Sequence, residues 1–267
     1  MPAASLALAA LLGIIEGVTE FLPVSSTGHL IFFVDVLRFG APPGKVFEIV
    51  IQLGAILAIV WLYRARLFGA VGRAATDRNA RRFLLNVLLA FVPSAVIGAL
   101  AQPFITTVLF SPWVVAGMMI AGGFAILAIE RWKPLPRIKT VDDMRAPLAL
   151  AVGFCQVVSM IPGVSRSGAT IMGGLILGLE RRAATEFSFF LAIPTMVGAA
   201  AYELWKNRSA LDFDSAAAIA VAFVAAFVSA LIVVRAFVGF VARHDFTPFA
   251  WYRLVAGTAM VAALLLL

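Results

Sequence analysis

The segment between Glu16 and His29 concentrates groups that can do chemistry in an otherwise apolar part of the chain. Its sequence, EGVTEFLPVSSTGH, holds two carboxylates, several hydroxyls and one of only two histidines. Glu16 and Glu20 are four residues apart, so they would share one face of a helix. Pro23 should end that helix, and the hydroxyls of residues 25–27 can cap the next one. Free N–H groups at a helix start, beside hydroxyls and an imidazole, favour an anion-binding site.

A second polar interruption, PGVSRSGAT, occupies residues 162–170. Its proline-glycine pair should stop one helix, and Ser165 or Ser167 can cap the next. Arg166 would then lie at the N-terminus of that helix, where the helix dipole is already positive. An arginine in such a place within a membrane requires an anion or a carboxylate as its partner. Two helix starts, an arginine and hydroxyls that converge describe a pocket for phosphate or diphosphate.

The two acids of the first segment have several possible roles. Glu16 and Glu20 could hold a divalent cation that bridges phosphate oxygens, or one of them could act as a general base. A salt bridge from Arg166 to Glu16 or Glu20 is the purely structural alternative. Two solvated acids at an ordinary helix end would suit a soluble protein, but the apolar surroundings disfavour that interpretation.

His29 lies three residues after Ser26 and four after Ser25, so on a helix it could reach either hydroxyl. That is a nucleophile–base arrangement. The histidine could also be the nucleophile itself, or the acid that protonates the leaving phosphate. The alternative is a histidine that is simply satisfied in the core.

The composition predicts an α-helical protein that crosses the membrane several times. Of the 267 residues, 63% are hydrophobic and 13% charged, and the mean hydropathy is +1.02. These values lie outside the range of soluble domains. The single cysteine, Cys155, excludes a disulfide framework and a multi-cysteine metal site. The net charge of +7 comes from arginines in short loops, so membrane topology explains it better than nucleic-acid binding.

The apolar segments form two similar series. The first series has a broken pair at 3–22 and 27–37, followed by spans at 46–63, 84–102 and 107–129. A basic loop at 130–146 separates the two series. The second series has a broken pair at 147–161 and 167–179, followed by spans at 186–205, 215–240 and 248–267. A spanning helix needs about 20 residues, so each broken pair should be a re-entrant helix–turn–helix.

The two series also match in sequence. Gly13, Ser25 and Gly28 recur as Gly153, Ser165 and Gly168, all at the same spacing along the chain. They belong to a longer set of matches at that spacing. We therefore predict one membrane domain, 1–267, built from repeats at about 1–130 and 147–267. Three spans per half is an odd number, so the second repeat should be inverted, which places a site near the membrane midplane.

The distribution of Lys and Arg predicts the orientation. Most of them lie in loops on the side opposite the N-terminus, whereas the other side holds only a few, namely Arg38, Lys45, Lys206 and Arg208. Because basic loops stay in the cytoplasm, both termini should be outside. The first broken pair would then open outward.

Four segments together resemble the undecaprenyl-diphosphate phosphatase family, also known as bacitracin-resistance proteins. They are EGVTEFLPVSSTGH at 16–29, FEIVIQLG at 47–54, PGVSRSGAT at 162–170 and EFSFFLAIP at 186–194. The resemblance extends over essentially the whole chain. It implies hydrolysis of undecaprenyl diphosphate to the monophosphate and phosphate, which recycles the lipid carrier for peptidoglycan. It also implies dependence on a divalent cation and a fold of two interlocked inverted repeats.

The resemblance also implies roles for particular residues. Carried over by position, the essential residues are Glu16, Glu20, Ser26, His29, Ser165, Arg166 and Thr170. Combined with the residue chemistry above, the predicted catalytic set is Glu20, Ser26, His29 and Arg166. The predicted phosphate-binding set is Ser25, Thr27, Gly28, Ser165, Arg166, Ser167, Gly168 and Thr170. Glu16 and Glu20 are the predicted ligands of a Mg²⁺ or Ca²⁺ ion.

Several alternatives stay open at this stage. The nucleophile could be Ser26, His29 or water. Glu48 and Gln52 could line the cavity or satisfy the re-entrant backbone, as could Glu186, which matches Glu48 by position. A lipid flippase or a transporter of an anionic substrate would use the same architecture. The expected partners are a polyprenyl diphosphate and the bilayer, and a homodimer is a candidate assembly.

Overall fold

The computed structural model describes residues 3–36, 46–206 and 216–266. Three of the outer-side basic residues predicted above, Arg38, Lys45 and Arg208, lie outside the described residues. The helices are α1 (Ala3–Thr19), α2 (Ser26–Val36), α3 (Val46–Leu62), α4 (Arg64–Arg73), α5 (Arg78–Phe104), α6 (Pro112–Trp132), α7 (Ala146–Val157), α8 (Arg166–Ile176), α9 (Arg181–Lys206), α10 (Ala216–Val241) and α11 (Thr247–Leu266).

Five of these helices are long and apolar enough to cross a membrane, namely α5, α6, α9, α10 and α11. A sixth span results if α3 and α4, which meet at an angle of 73°, are counted together. The predicted class, an all-α polytopic membrane protein, is therefore confirmed.

Two pairs of short helices are broken at the prolines that the sequence marked. Pro23 lies between α1 and α2, and Pro162 lies between the 3₁₀ turn after α7 and the start of α8. Helices α2 and α8 have 11 residues each, which corresponds to about 16 Å. That length is well short of the roughly 30 Å hydrocarbon core. Both pairs thus have the lengths expected of re-entrant elements.

Helix α4 corrects one prediction. The predicted spans at 46–63 and 84–102 leave residues 64–73 in a loop, whereas the structure makes them a helix. The segment RARLFGAVGR is amphipathic: Ala70 is buried, whereas Phe68 and Val71 are exposed. Its arginines suggested a loop, but a short amphipathic helix with exposed apolar side chains suits a membrane interface. Helix α4 continues from α3 and turns sharply away from it.

The helices pack in matching pairs. Helix α1 packs along α10 and α7 along α5, whereas α3 contacts α10 and α9 contacts α5; α6 packs against α11. Two of these contacts depend on glycine. Gly13 lies against the backbone of Ala222, and Gly153 against that of Ala90, so closely that neither glycine has room for a side chain. Such pairing is the pattern expected of interlocked halves, and the inversion of one half stays a prediction.

Four basic loops lie together at one end of the helices. Arg66 and Asp142 form an ion pair of 2.7 Å, which joins the α4 region to the α6–α7 loop. Glu130 accepts hydrogen bonds from Arg181 at 2.9 Å and from the Phe246 backbone N–H at 3.0 Å. These contacts group the loops that the Lys and Arg distribution assigns to the cytoplasm, although they do not define the side of the membrane.

Candidate active site

A cavity of about 150 Å³ lies where the two broken helices meet. Its lining combines both polar sequence segments with parts of α3 and α9: Glu20, Ser25, Ser26, Thr27, Gln52, Ser159, Pro162, Gly163, Ser165, Arg166 and Met196. Segments that are far apart in sequence therefore form one polar cavity within an apolar protein.

Ser25 and Ser165 start the two short helices in the same way. Both have positive φ angles, 69° and 75°, which non-glycine residues rarely adopt. The Ser165 hydroxyl accepts the Gly168 N–H at 3.1 Å, and the Ser25 hydroxyl accepts the Gly28 N–H at 3.4 Å. The cap of α8 is therefore Ser165 rather than Ser167. Two helix N-termini border the same cavity, and each carries partial positive charge.

Glu20 joins the two segments within this cavity. The Ser26 hydroxyl donates a hydrogen bond to one oxygen of its carboxylate. The Arg166 guanidinium donates to the other oxygen at 3.0 Å. The salt bridge that the sequence suggested as a structural alternative is thus formed with Glu20. This ion pair lies inside the cavity, so it is part of the candidate site and not an alternative to it.

Arg166 is held from its other side by α9. Its guanidinium donates to the Ser188 backbone carbonyl at 3.0 Å and lies 5.7 Å from the Phe21 ring. The Ser188 hydroxyl in turn pairs with Thr170 at 2.7 Å. The buried Nε of Arg166 has no hydrogen-bond partner among the described residues. The arginine is therefore fixed in place, and one of its donors is left unpaired by the described residues.

Glu16 is fully buried, and neither of its carboxylate oxygens has a hydrogen-bond partner among the described residues. Glu20 and Glu48 lie close enough to interact with it electrostatically. Glu20 is paired with Arg166, whereas both oxygens of Glu16 are unpartnered, and carboxylate oxygens of this kind suit a divalent cation. No group of three or more His, Cys, Asp or Glu with metal-site spacing occurs in the part of the chain that the structure describes. The carboxylates of Glu16 and Glu20 fit a divalent cation by chemistry, and of the two only Glu20 lines the cavity.

The predicted contact between His29 and a serine hydroxyl is not formed. Nδ1 of His29 lies 2.7 Å from the backbone carbonyl of Ser25, and Nε2 lies 2.6 Å from the Tyr252 hydroxyl. A carbonyl only accepts, so Nδ1 is the donor, and Nε2 pairs with the Tyr252 hydroxyl, from which it accepts when the ring is neutral. The imidazole stacks on Tyr252, with ring centroids 5.6 Å apart. The His29 side chain thus points toward α11, and the Ser26 hydroxyl pairs with Glu20 instead of with His29.

Four residues of the predicted phosphate-binding set do not line the cavity: Gly28, Ser167, Gly168 and Thr170. The Ser167 hydroxyl donates to the Leu22 carbonyl at 2.7 Å, which ties the second segment to the first. Gly28 packs against Val115 and Met119. These residues hold the two helix starts together, because their polar groups are engaged within the protein. Ser25, Thr27, Ser165 and Arg166 do line the cavity.

The structure also separates the three side chains whose roles the sequence left open. Gln52 lines the cavity, so its face of α3 borders the site. Glu186 pairs with Arg182 at 3.0 Å and does not reach the cavity. Glu48 is half-buried and lies near Glu16.

Arg253 on α11 supports the site from behind, a role that the sequence did not predict. The side chain is only 1% exposed. It donates to the carbonyl of Pro23 at 3.3 Å in the first broken element. It also donates to those of Gly163 at 2.9 Å and Val164 at 3.0 Å in the second. An arginine inside an apolar span was the only sequence signal, and it did not identify these partners.

The fold and the cavity define a class: an integral membrane protein that holds a polar cavity between two broken helices. Residues 9–259 match the family described as "Bacitracin resistance protein BacA", and the chain belongs to that family. The predicted resemblance is thereby confirmed.

Curated relatives match the chain over nearly its full length. It is 57% identical over 258 residues to "Undecaprenyl-diphosphatase 2" of Paramagnetospirillum magneticum, which covers 97% of this chain and 98% of that protein. It is 57% identical over 258 residues to "Undecaprenyl-diphosphatase" of Rhizorhabdus wittichii, covering 96% of each. It is 52% identical to "Undecaprenyl-diphosphatase 1" of Agrobacterium fabrum, covering 98% of each.

Proposed function

We propose that this chain hydrolyses undecaprenyl diphosphate to undecaprenyl phosphate and inorganic phosphate. The names of its full-length relatives support this activity. The observation that carries the proposal is the position of Glu20, which joins the Ser26 hydroxyl to the Arg166 guanidinium inside a buried polar cavity. Simple binding of a phosphate needs the arginine but has no use for a serine that donates to a carboxylate.

The diphosphate docks against the starts of α2 and α8. Both helix N-termini carry partial positive charge, and the free Nε of Arg166 supplies a further donor. The prenyl tail stays among apolar surfaces, since the cavity itself is small and polar. The phosphate group is thereby drawn to a place in the membrane interior where donors are available.

Ser26 is the proposed nucleophile. Its oxygen forms a bond to the terminal phosphorus while the hydroxyl proton moves to Glu20, to which it already donates. The bond from that phosphorus to the bridging oxygen breaks, and undecaprenyl phosphate leaves. Water then cleaves the phosphoserine and releases phosphate. Attack by water or by His29 are the alternatives, and His29 first has to turn away from Tyr252.

Glu16 and Glu20 would hold a Mg²⁺ or Ca²⁺ ion together with phosphate oxygens of the substrate. The unpartnered oxygens of Glu16 fit this role. When bound there, a divalent cation neutralises part of the charge on the phosphoryl group.

The site is proposed to open to the outer side of the bacterial inner membrane, with both termini outside. The clustering of the basic loops at the opposite end supports this orientation. Recycling of the lipid carrier at that face would sustain peptidoglycan synthesis and resistance to bacitracin. Assembly as a homodimer stays a prediction.

The experiment measures phosphate release from undecaprenyl diphosphate by purified protein in detergent, with and without a chelator. We expect cation-dependent release from the wild type and loss of at least 100-fold in Glu20→Gln and Arg166→Ala. Arg182→Ala and Glu186→Gln are matched controls, because that ion pair lies outside the cavity. Release that survives both cavity substitutions would place the chemistry elsewhere.

Lipid translocation is the second candidate function. The paired packing of α1 with α10 and of α7 with α5 favours it, because interlocked halves with broken helices are common in transporters. A well-folded wild-type protein that releases no phosphate but moves a fluorescent prenyl phosphate across liposomes would establish this function instead.

A further inference from the structure

A second and larger cavity adjoins the active site. It has a volume of about 390 Å³ and lies between α5, α9 and the end of α7. We refer to it as the α5/α9 groove; its apolar and small lining residues are Phe91, Ala95, Gly98, Ala99, Met160, Gly198 and Ala199. Ser159 lines both this groove and the active-site cavity. The two cavities are therefore neighbours that share one wall.

The polar side chains on the inner wall of the groove are already paired. Gln156 donates to the Ser94 hydroxyl at 2.6 Å and to Thr195 at 3.1 Å. Gln102, Tyr202 and Glu203 also line the groove, where Gln102 donates to Glu203 at 3.3 Å and the Tyr202 hydroxyl donates to Gln102 at 3.4 Å. With these groups engaged, the rest of the lining consists mainly of alanine, glycine and larger apolar side chains. Such a wall has little to offer a second polar headgroup and suits hydrocarbon.

Small residues keep this groove open. A side chain on Gly98 would lie 3.2 Å from the Met160 methyl group, and one on Gly198 would lie 3.2 Å from the Phe91 ring. The helix pair α3 and α10, which the predicted repeat makes the counterpart of α9 and α5, behaves differently. There Gly54 packs directly on the backbone of Phe223. At Gly54 the α3/α10 pair is therefore closed, whereas the α5/α9 pair leaves a groove.

We infer that the α5/α9 groove binds the isoprene units of the substrate next to its diphosphate. The inference rests on the proposed function. A diphosphate in the active-site cavity must send its covalently attached tail out through an apolar wall, and this groove adjoins that cavity at Ser159. Its mouth carries the exposed Ala99 and Ala199 on helices that cross the membrane, so the rest of the tail can continue into the bilayer.

The test fills the groove from each wall and compares each variant with a neighbour on the same helix. Ala95→Phe and Ala199→Phe place a ring in the groove. Val96→Phe and Val197→Phe introduce the same ring on lipid-facing positions that are 52% and 47% exposed and do not line the groove. KM and kcat are measured with farnesyl diphosphate. The Ki of inorganic pyrophosphate, which has no tail, is measured at constant free Mg²⁺.

We expect both groove variants to raise KM for farnesyl diphosphate at least tenfold, since they exclude apolar surface that the tail would bury. The Ki of pyrophosphate should stay within twofold of the wild type, and both lipid-facing variants should resemble the wild type. An unchanged KM in Ala95→Phe and Ala199→Phe would overturn the inference and leave the groove to a bilayer lipid. A parallel rise in KM and Ki would also overturn it, because the groove would then belong to the headgroup site.

The outcome is separable from failure of the proposed function. If the wild type released no phosphate, the proposed phosphatase function would be refuted. The groove would then be judged by the rise in melting temperature that farnesyl diphosphate produces. A rise lost in Ala95→Phe and kept in Val96→Phe would support the groove, and equal rises in the two variants would refute it.

Discussion

Ser25 and Ser165 have the same backbone conformation and the same capping role at the starts of two different helices. Their φ angles are 69° and 75°, and each hydroxyl accepts the N–H of the glycine three residues later. A serine at positive φ is strained, so this geometry needs support from its surroundings. The side chain compensates by capping the helix start, and the same turn brings the first residues of each helix into the cavity lining.

The first prediction concerns that strain. Ser165→Gly should be more stable than Ser165→Ala by about 1 kcal/mol, because glycine accepts positive φ and is the better substitute at a cap. The melting temperature in detergent should differ by about 2–4 °C. Ser229 is the matched control, since it lies inside α10. There the order should reverse, with alanine more stable than glycine; the same order at both sites would contradict the strain argument.

The second prediction concerns the nucleophile. Ser26→Ala should lower kcat at least 1000-fold, because the attacking oxygen is lost, while the Kd for pyrophosphate stays close to that of the wild type. Rapid quenching with substrate labelled at the terminal phosphate should trap phosphoserine in the wild type alone. Ser229→Ala provides a serine substitution remote from the cavity. Full turnover by Ser26→Ala would leave water or His29 as the nucleophile.

The sequence contained enough to predict both broken helices and the association of their polar residues. Proline and glycine interrupt apolar segments at Pro23 and Pro162, and those interruptions are local signals that need no tertiary information. An arginine in a membrane requires a counter-charge, and few acids are available nearby. Pairing of Arg166 with Glu16 or Glu20 was therefore among the sequence-based alternatives, and the structure selects Glu20.

What could not be predicted depends on distant packing. Tyr252 and His29 are separated by 223 residues, and no local pattern indicates that the imidazole turns toward α11. Helix α4 differs from the prediction because its arginines have the composition of a loop, although the segment RARLFGAVGR is itself amphipathic. Predictions from the sequence thus succeeded where local backbone chemistry decides the structure. They failed where a contact with a distant helix decides it, as for His29 and α11.

The third prediction tests Tyr252 as a positioning residue. Tyr252→Phe keeps the aromatic stack on His29 and removes its hydrogen bond. We expect kcat to fall about tenfold, which is the scale of one lost orienting contact. In a His29→Ala background the same substitution should have no further effect. Independent, additive losses in this double-mutant cycle would show that Tyr252 acts through some other group.

The fourth prediction concerns Arg253, whose guanidinium supports the cavity from behind. Arg253→Met should destabilise the protein by at least about 3 kcal/mol, because buried carbonyls in both broken elements lose their donor. Arg253→Lys keeps the charge but offers fewer donors, so it should lie between the wild type and methionine. The melting temperature and the Ki of pyrophosphate would be measured together. Arg243→Met, an exposed arginine near the end of α10, should change neither quantity. Equal stability of Arg253→Met and Arg243→Met would exclude the proposed support.

The last prediction separates the contributions of Glu16 to stability and to activity. A buried carboxylate without a hydrogen-bond partner lowers stability, so Glu16→Gln should keep or raise the melting temperature. The same variant should lose at least 100-fold in phosphate release, because it removes one of two proposed cation ligands. Mg²⁺ together with pyrophosphate should raise the melting temperature of the wild type, and this rise should be absent in Glu16→Gln. Glu186→Gln, whose carboxylate pairs with Arg182 outside the cavity, should retain both the activity and the Mg²⁺-dependent rise. A Glu16→Gln protein that retains full activity would show that Glu16 has no part in holding the ion.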